Sequence, residues 1–317
     1  MRGTRRGKTH DSKAAAAAWA MRMEAELQQP DGPPRVTLGK ACARYRDEVA
    51  PLHKGERWER VRLGLLARDP VAGELLSELS AAKLADWRDR RLKQVAPASV
   101  LRELKLLHSV LESCRRDWGL IKVNPLADVR KPTAPAPRRR RVPAEVVDAM
   151  LAGLGYVPGT RPRLASQRVA VAMLLALETA MRSGELLALT WADVASRSVT
   201  LPKTKNGDRR QVPLSTSARG LLDLLGPGEA AAAVVGVKPG SRDALWRKGK
   251  ARAAKLAPHL ADALADLHFH DLRAEAIWRL SKRLEVLELA RMIGHRDLKS
   301  LMIYYAASAD ELAAKLG

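Results

Sequence analysis

Apolar positions along the chain repeat mainly with the spacing of helices. Within residues 98–118 the steps between them alternate between four and three. The residues on this stripe are Val100, Leu104, Leu107, Leu111, Cys114 and Trp118. Such steps place every member on one face of a helix, and Gly119 suits the position just after the end of that helix. Cys114 lies on the stripe, so we predict that it is a core residue rather than a nucleophile.

The pattern divides the chain into two domains, a linker and an extension. Residues 36–125 have a helical pattern throughout, and residues 143–317 form a second, longer domain. Between them, residues 126–142 contain several prolines followed by four consecutive arginines, which predicts a stiff linker. Residues 1–35 form a basic extension, in which the alanine-rich stretch 14–27 favours one helix.

The second domain combines helices with one β insertion. Residues 169–181 have the pattern of a buried helix that breaks near Ser183. The β-prone runs 198–201 and 210–214 flank Asn206-Gly207, a dipeptide that is a strong signal for a β-hairpin. We therefore predict a mainly α fold with a small antiparallel β-hairpin in the C-terminal domain.

Charge narrows the range of partners. Lysine and arginine total 56 against 35 acidic residues, so the formal charge is +21 and the pI is near 10.5. Such an excess indicates a polyanion, most commonly nucleic acid. Aromatic residues make up only 4%, which disfavours a protein that stacks single-stranded bases on rings.

Other features exclude further classes of protein. Two cysteines rule out a disulfide scaffold and a multi-cysteine zinc site. The longest apolar run, residues 169–177, is far too short to span a membrane, and no apolar segment follows the basic N-terminus as in a signal peptide. We expect a soluble, cytoplasmic protein associated with the nucleoid.

Basic residues lie on the outer faces of the predicted helices over residues 81–95 and 98–118. A charged face is often only a solvated face, but the overall charge favours one that binds DNA phosphates. The arginine run in the linker could act as a flexible grip on phosphate or as a localisation signal. The residues predicted to contact DNA are Arg88, Arg91, Arg102, Lys105, Arg138, Arg139, Arg140 and Arg141.

Two basic residues of the second domain follow predicted elements. Arg182 comes directly after the buried helix, and Glu185 lies three residues further on, within reach of an ion pair. Lys205 lies at the tip of the predicted hairpin, where a side chain can reach into a DNA groove. Alone, Arg182 with Glu185 is compatible with a simple ion pair at a helix end, and Lys205 is compatible with a solvated lysine.

Two further stretches carry imidazole groups. His270 and Arg273 have the spacing that places them on one helical face, a suitable clamp for one phosphate. His295 follows a glycine, and Tyr304 comes nine residues later. Each is weak evidence alone, because a tyrosine on an apolar helix is usually part of the core.

Taken together, these stretches resemble the tyrosine recombinase, or phage integrase, family. The matching strings are TAMRSGELLALTW, PKTKNGDRRQVPL, HFHDLR and MIGHRDLKSLMIYYA. The resemblance implies a two-domain DNA clamp, made of a helical core-binding domain and a mixed α+β catalytic domain. It also implies that residues 1–35 are a remnant of an arm-binding module. The catalytic set that it implies is Arg182, Lys205, His270, Arg273, His295 and Tyr304, with Glu185 supporting the first arginine.

The resemblance implies a metal- and ATP-independent reaction in which Tyr304 forms a covalent 3′-phosphotyrosine. The guanidinium and imidazole groups would stabilise the extra charge on the phosphorane, as a metal does elsewhere. His270 is the candidate base and Lys205 the candidate acid. Because the sequence also lacks a nucleotide-binding loop and HExxH-type metal motifs, we expect no cofactor.

We expect double-stranded DNA as the partner, with a free monomer that assembles into a homotetramer on attachment sites of a prophage or mobile element. An accessory DNA-bending or directionality factor is left open. Two alternatives remain. A type IB topoisomerase would use similar residues to relax DNA without site preference, and a non-catalytic DNA-binding protein would retain the clamp without cleavage.

Overall fold

The computed structural model describes residues 13, 16, 17, 19, 21, 35–134, 138, 140–202, 209–295 and 297–305, with residues 299 and 300 described by backbone alone. Lys205, Arg139 and most of the predicted helix over residues 14–27 lie outside these ranges. The chain divides into two compact units, Met1–Pro137 and Arg138–Gly317. This division falls within the predicted linker.

The first unit is helical. Thr37 and Ser80 begin helices by accepting hydrogen bonds from the backbone N–H groups of Lys40 and Lys83, both at 3.3 Å. Between residues 35 and 134, its helices are α1 (Leu38–Glu48), α2 (Glu56–Leu66), α3 (Ala81–Leu92) and α4 (Pro97–Arg116). Short 3₁₀ turns lie at Ala50–Leu52, Pro70–Gly73 and Pro125–Asp128.

Helix α4 carries the apolar stripe into the core of the first unit. Cys114 is fully buried, which confirms its prediction as a core residue, and burial raises the pKa of its thiol to about 11. The helix ends at Arg116, two residues earlier than predicted, because the chain turns at Gly119, whose φ is 61°. Trp118, beyond the helix, still packs against the same core.

The second unit surrounds one buried helix. Its first helices are α5 (Ala144–Gly153), α6 (Ala165–Thr179) and α7 (Ser183–Ala188), followed by α8 (Thr216–Leu225), α9 (Pro239–Leu256) and α10 (Ala261–Ala265). Then follow α11 (Phe269–Ser281), α12 (Val286–Ile293) and α13 (Lys299–Met302). Helix α6 is apolar on nearly every side because α8, α9 and α11 all pack against it.

The predicted hairpin is present as an antiparallel pair, β1 (Ser198–Leu201) and β2 (Arg210–Pro213). Val199 pairs with Val212, and Leu201 pairs with Arg210. Strand β2 also contacts α12, so the hairpin is attached to the body of the unit. The predicted mainly α fold with a small antiparallel β-hairpin is confirmed.

Among the described residues, no helix combines the length and the apolar character that are needed to cross a bilayer.

Candidate active site

The chain breaks between α6 and α7, and this break positions Arg182. Ala180 has a φ of 52°, the left-handed conformation, which turns the chain immediately after α6. Such a conformation is costly for a residue other than glycine and is found mainly where structure around it enforces it. The sequence placed the break near Ser183, because no glycine marks position 180.

Glu185 holds Arg182 at the start of α7. The Arg182 backbone N–H donates to Glu185 Oε2 at 2.8 Å, and Arg182 Nη1 donates to Oε1 at 2.9 Å. The ion pair expected from the three-residue spacing therefore forms. The Arg182 side chain is 25% exposed, whereas that of Glu185 is 9% exposed. The guanidinium thus faces an accessible surface while its acidic partner stays inside.

A second arginine, Arg210 of β2, also binds Glu185. Its Nη1 and Nη2 donate to the two carboxylate oxygens at 2.9 and 2.7 Å. The sequence reasoning missed this residue. A signal was nevertheless available, because strand alternation places Arg210 on the same inward face as Val212, and a charge on an inward strand position indicates a buried ion pair.

Arg273 lies one turn into α11 and is buried. Its Nη1 donates to the carbonyl oxygen of Ala180, and its Nη2 donates to that of Ile293 at 2.9 Å. It thereby connects the break before Arg182 with the end of α12. His270 lies on the same first turn of α11 and is accessible to solvent.

His295 follows the end of α12. Gly294 has a φ of 67° and ends the helix in the left-handed conformation that favours glycine, and the His295 N–H donates to the Ala290 carbonyl at 3.0 Å. This fixes the backbone from which the half-buried imidazole of His295 projects.

The two neighbouring tyrosines have different surroundings. The Tyr305 hydroxyl donates to the Leu284 carbonyl at 2.7 Å, and burial and the nearby Glu285 and Glu288 raise its pKa. Tyr304 instead lies close enough to Arg273 for its charge to act on that guanidinium. The Tyr305 hydroxyl thus bonds the protein backbone, and Tyr304 lies beside the cationic cluster.

The electrostatics show that these groups share one site. Burial and the charge of Arg182 lower the pKa of Arg273 to about 10. The pKa values of His270 and His295 are both lowered. Burial, which removes hydration, is the largest cause, and the charges of Arg273 and Arg182 add to it. The structure therefore brings together Arg182, Arg273, His270, His295 and Tyr304, from four separate parts of the second unit.

The residues predicted to contact DNA fall into two groups. Arg102 and Lys105 are exposed on α4. Five others donate to groups of their own unit. These are Arg88 to Asp89 and the Arg130 carbonyl, Arg91 to Glu103, Arg138 to Asp266 and Asp271, Arg140 to Asp266 and the Ala263 carbonyl, and Arg141 to Glu275.

Comparison with known proteins decides the family. The sequence profile of the Phage integrase family matches residues 141–311, more than half of the chain. The chain belongs to the phage integrase family. The resemblance to the tyrosine recombinases is thereby confirmed, and the site described above lies within the matched region of this integrase.

Relatives match over nearly the whole integrase. A Haemophilus influenzae protein named "Putative integrase/recombinase" is 35% identical over 296 residues, covering 92% of this chain and 93% of its own. The "Shufflon-specific DNA recombinase" of Escherichia coli is 33% identical over 294 residues, covering 89% and 72% respectively. Family and relatives establish the integrase as a DNA breaking and rejoining enzyme.

Solved structures share the fold. The Tn1549 transposon integrase in complex with transposon right end DNA has a TM-score of 0.68 at 15% identity, covering 89% of this chain and 98% of its own. A lambda integrase tetramer bound to a Holliday junction has a TM-score of 0.63 at 17% identity, covering 91% and 89%. At these identities the likeness concerns the fold of the integrase.

Proposed function

We propose that this integrase cuts and rejoins DNA at specific sites through a covalent 3′-phosphotyrosine on Tyr304, and so integrates or excises a prophage or other mobile element. The observation that carries the proposal is the cationic cluster of Arg182, Arg273, His270 and His295, with Tyr304 beside it. Such a cluster suits the reaction because guanidinium groups bind phosphate oxygens in pairs.

In the proposed cleavage step, the Tyr304 hydroxyl oxygen attacks the scissile phosphorus and the bond to the 5′-oxygen breaks. His270 accepts the tyrosine proton, a role that suits an imidazole whose lowered pKa keeps it neutral. Lys205, the candidate general acid, supplies a proton to the departing 5′-oxygen. A free 5′-hydroxyl then attacks the phosphotyrosine and reverses the step.

Arg182, Arg273 and His295 stabilise the phosphorane in this proposal. The attack adds charge to the non-bridging oxygens, and each preorganised donor of this kind is worth about 10²–10³ in rate. Arg273 is held by two backbone carbonyls, so its position is set before DNA binds. The phosphoester energy is kept in the phosphotyrosine, so we propose a reaction independent of ATP. We also propose that it needs no metal ion, because the guanidinium and imidazole donors meet the added charge.

The partner in this proposal is double-stranded DNA. Its phosphates are contacted first by the exposed Arg102 and Lys105. The structures of similar fold contain DNA, and one is a tetramer on a Holliday junction. We propose the same assembly here, a monomer in free solution that forms a tetramer on two duplexes. An accessory bending or directionality factor stays an open prediction.

A trapping experiment tests the function. Duplexes that tile the DNA flanking the gene, each carrying a nick beside the position to be cleaved, release a short strand on cleavage and trap the covalent complex. We expect a protein–DNA band that survives denaturation for wild type and for Tyr305→Phe, and none for Tyr304→Phe.

The alternatives give other results in the same assay. A non-catalytic DNA-binding protein gives no covalent band with any duplex. A type IB topoisomerase gives a band with every duplex and relaxes any supercoiled plasmid. Retention of the band by Tyr304→Phe would show that the nucleophile is wrongly identified, and loss of cleavage on addition of a chelator would contradict metal independence.

A further inference from the structure

Arg210 is a buried arginine in a small hairpin, and such a residue is costly unless its donors are paired. Its side chain is 7% exposed. Three of its donors are used: Nη1 and Nη2 bind the two oxygens of Glu185, and Nε donates to the Met292 carbonyl at 3.1 Å. Its desolvation cost is therefore offset by one bidentate ion pair and one backbone contact.

These contacts join the supports of two different site residues. Glu185 is the carboxylate that holds Arg182 through both a backbone and a side-chain bond. Met292 lies near the end of α12, three residues before His295. Arg210 thus links the start of α7 to the end of α12, beside the link that Arg273 makes from Ala180 to Ile293.

The turn before His295 is fitted closely to Arg210. A Cβ placed on Gly294 would lie 2.9 Å from Arg210 Nη1 and 3.1 Å from its Cδ. The turn can approach the guanidinium this closely only because position 294 is glycine, which its φ of 67° also favours. A change at Arg210 is therefore felt directly in the segment that carries His295.

Two guanidiniums share the charge of one buried carboxylate. Glu185 carries one negative charge and pairs with the guanidiniums of Arg182 and Arg210. In the part of the chain that the structure describes, the Arg182 guanidinium bonds Glu185 through Nη1 only. Without Arg210, Arg182 would be the one cation still hydrogen-bonded to the buried carboxylate among the described residues. The carboxylate would then draw that arginine into a closer pair and away from a phosphate.

We propose that Arg210 is a positioning residue for DNA cleavage, which holds Glu185 and, through it, Arg182, and which anchors the turn that presents His295. This inference rests on the proposed function, because it concerns the same cleavage reaction. Arg210 contacts neither the phosphate nor the nucleophile in this account and acts only through its neighbours.

The test measures single-turnover cleavage of the nicked duplex and DNA affinity separately. For Arg210→Met we expect cleavage to slow by about 10²-fold, the effect of misplacing catalytic groups by roughly an ångström, while the Kd for DNA changes by less than about threefold. Arg210→Lys keeps the charge but loses the bidentate geometry, so its cleavage rate should fall between those of wild type and Arg210→Met. Arg219→Met, which removes an exposed arginine paired with Asp223 in the same unit, is the matched control and should cleave like wild type.

A double variant separates positioning from a general loss of stability. Arg210→Met with Glu185→Gln removes the unpaired buried carboxylate, so it should cleave at least about tenfold faster than Arg210→Met alone. If circular dichroism shows that Arg210→Met does not fold, the cleavage rates of Arg210→Lys and of the double variant are measured instead. They are compared with the rates of wild type and of Glu185→Gln.

Outcomes against the inference are distinct from a failure of the proposed function. Cleavage by Arg210→Lys within twofold of wild type would overturn the inference. A double variant that cleaves no faster than Arg210→Met would also overturn it. If Arg210→Met does not fold, the same holds for a double variant that cleaves no faster than Arg210→Lys. Absence of covalent product from wild type itself would instead contradict the proposed function.

Discussion

At the scale of single residues, the site combines two guanidiniums with two imidazoles that resist protonation. The charges around His295 come from Arg273, Arg182 and Arg210, with Asp297 acting in the opposite direction. Because a lowered pKa leaves the ring neutral at physiological pH, each histidine can accept a proton or a hydrogen bond there. Burial first, and the cationic groups of the site after it, therefore keep both imidazoles neutral.

This predicts a specific pH dependence of cleavage. When DNA is limiting, the pH dependence of the rate reports the pKa values of groups in the free enzyme. The pKa of His270 is lowered from 6.5, the ordinary value for an imidazole, so activity should be lost only below that pH. The rate should therefore stay level on going down from about pH 8 and decline only below that value. His270→Gln should cleave more slowly at every pH and lack this decline. An acid limb centred above the ordinary imidazole pKa would contradict the prediction.

The residues of the site were largely predictable from the sequence, but their supports were not. Arg182, His270, Arg273, His295 and Tyr304 stand in strings with a known order. Arg210 contributes a contact with a residue 25 positions away, and no local pattern indicates that pairing. The hydroxyl contact that occupies Tyr305 is likewise visible only once the fold brings the Leu284 carbonyl beside it.

At the scale of elements, α11 carries two site residues and is held at its start by arginines of the predicted linker. Arg138 forms a bidentate pair with Asp271, at 2.7 and 2.9 Å, and Asp271 in turn accepts from the His268 N–H. Arg141 and the Val142 N–H donate to Glu275 one turn further along. These arginines were predicted to contact DNA, which stays a prediction, and in the structure they brace α11.

Removal of the Glu275 charge should weaken this attachment. Glu275 is 2% exposed, and although its burial acts in the opposite direction, bonds from Arg141, Val142 and Arg279 lower its pKa overall. We expect Glu275→Gln to reduce the free energy of unfolding by about 1–3 kcal/mol at neutral pH, by urea titration.

The pH dependence checks the origin of that loss. A carboxylate with a lowered folded-state pKa stabilises the fold fully above its ordinary pKa of 4.5, and this contribution disappears as pH falls through the lowered value. The gap between wild type and Glu275→Gln should therefore close in acid. Exposed Glu229 supplies a control, since Glu229→Gln should change little at either pH. A gap that persists unchanged in acid would show that packing, not charge, is responsible.

A close helix crossing gives a second prediction at this scale. Gly153 of α5 packs against α9 so tightly that a Cβ would overlap the Gly249 carbonyl oxygen and lie 2.8 Å from the Ala253 nitrogen. Because both are backbone atoms, Gly153→Ala should cost about 1–3 kcal/mol of stability, measured by urea unfolding. Gly220 on α8 has open space around it, so Gly220→Ala should instead stabilise by up to about 1 kcal/mol. Equal effects of the two substitutions would contradict the packing argument.

Elements were predicted well where the pattern is local. The stripe on α4 follows from periodicity, and the β insertion from two β-prone runs around an Asn-Gly dipeptide. The stripe and the antiparallel strand pair are both present. The break after α6 was predicted three residues late because tertiary contacts, including the bond from Arg273 to the Ala180 carbonyl, hold an alanine in a conformation usual for glycine. The ion pairs of Arg138 and Arg141 with α11 join residues more than 120 positions apart, beyond the reach of any sequence pattern.

At the scale of the whole molecule, the net charge of +21 governs the encounter with DNA. Each phosphate that a lysine or arginine neutralises releases counterions, so affinity falls steeply with salt. For roughly six to ten such contacts we expect a loss of about 10³–10⁵ in affinity between about 50 and 200 mM salt, by fluorescence anisotropy with a duplex. A loss smaller than about tenfold would contradict an interface dominated by phosphate contacts.

Assembly on DNA is a second property of the whole molecule. We expect light scattering to give a monomer for the free protein and a tetramer once two duplexes with the recombination site are added. A stable tetramer in the absence of DNA would contradict this order of assembly.

The central claim is that Tyr304 becomes covalently joined to DNA within the cluster of Arg182, Arg273, His270 and His295. The most direct measurement is to trap wild-type protein on the nicked duplex, digest both components, and identify by mass spectrometry the peptide that carries a nucleotide. We predict a 3′-linked nucleotide on Tyr304 and an unmodified Tyr305. A nucleotide on any other side chain would contradict the account.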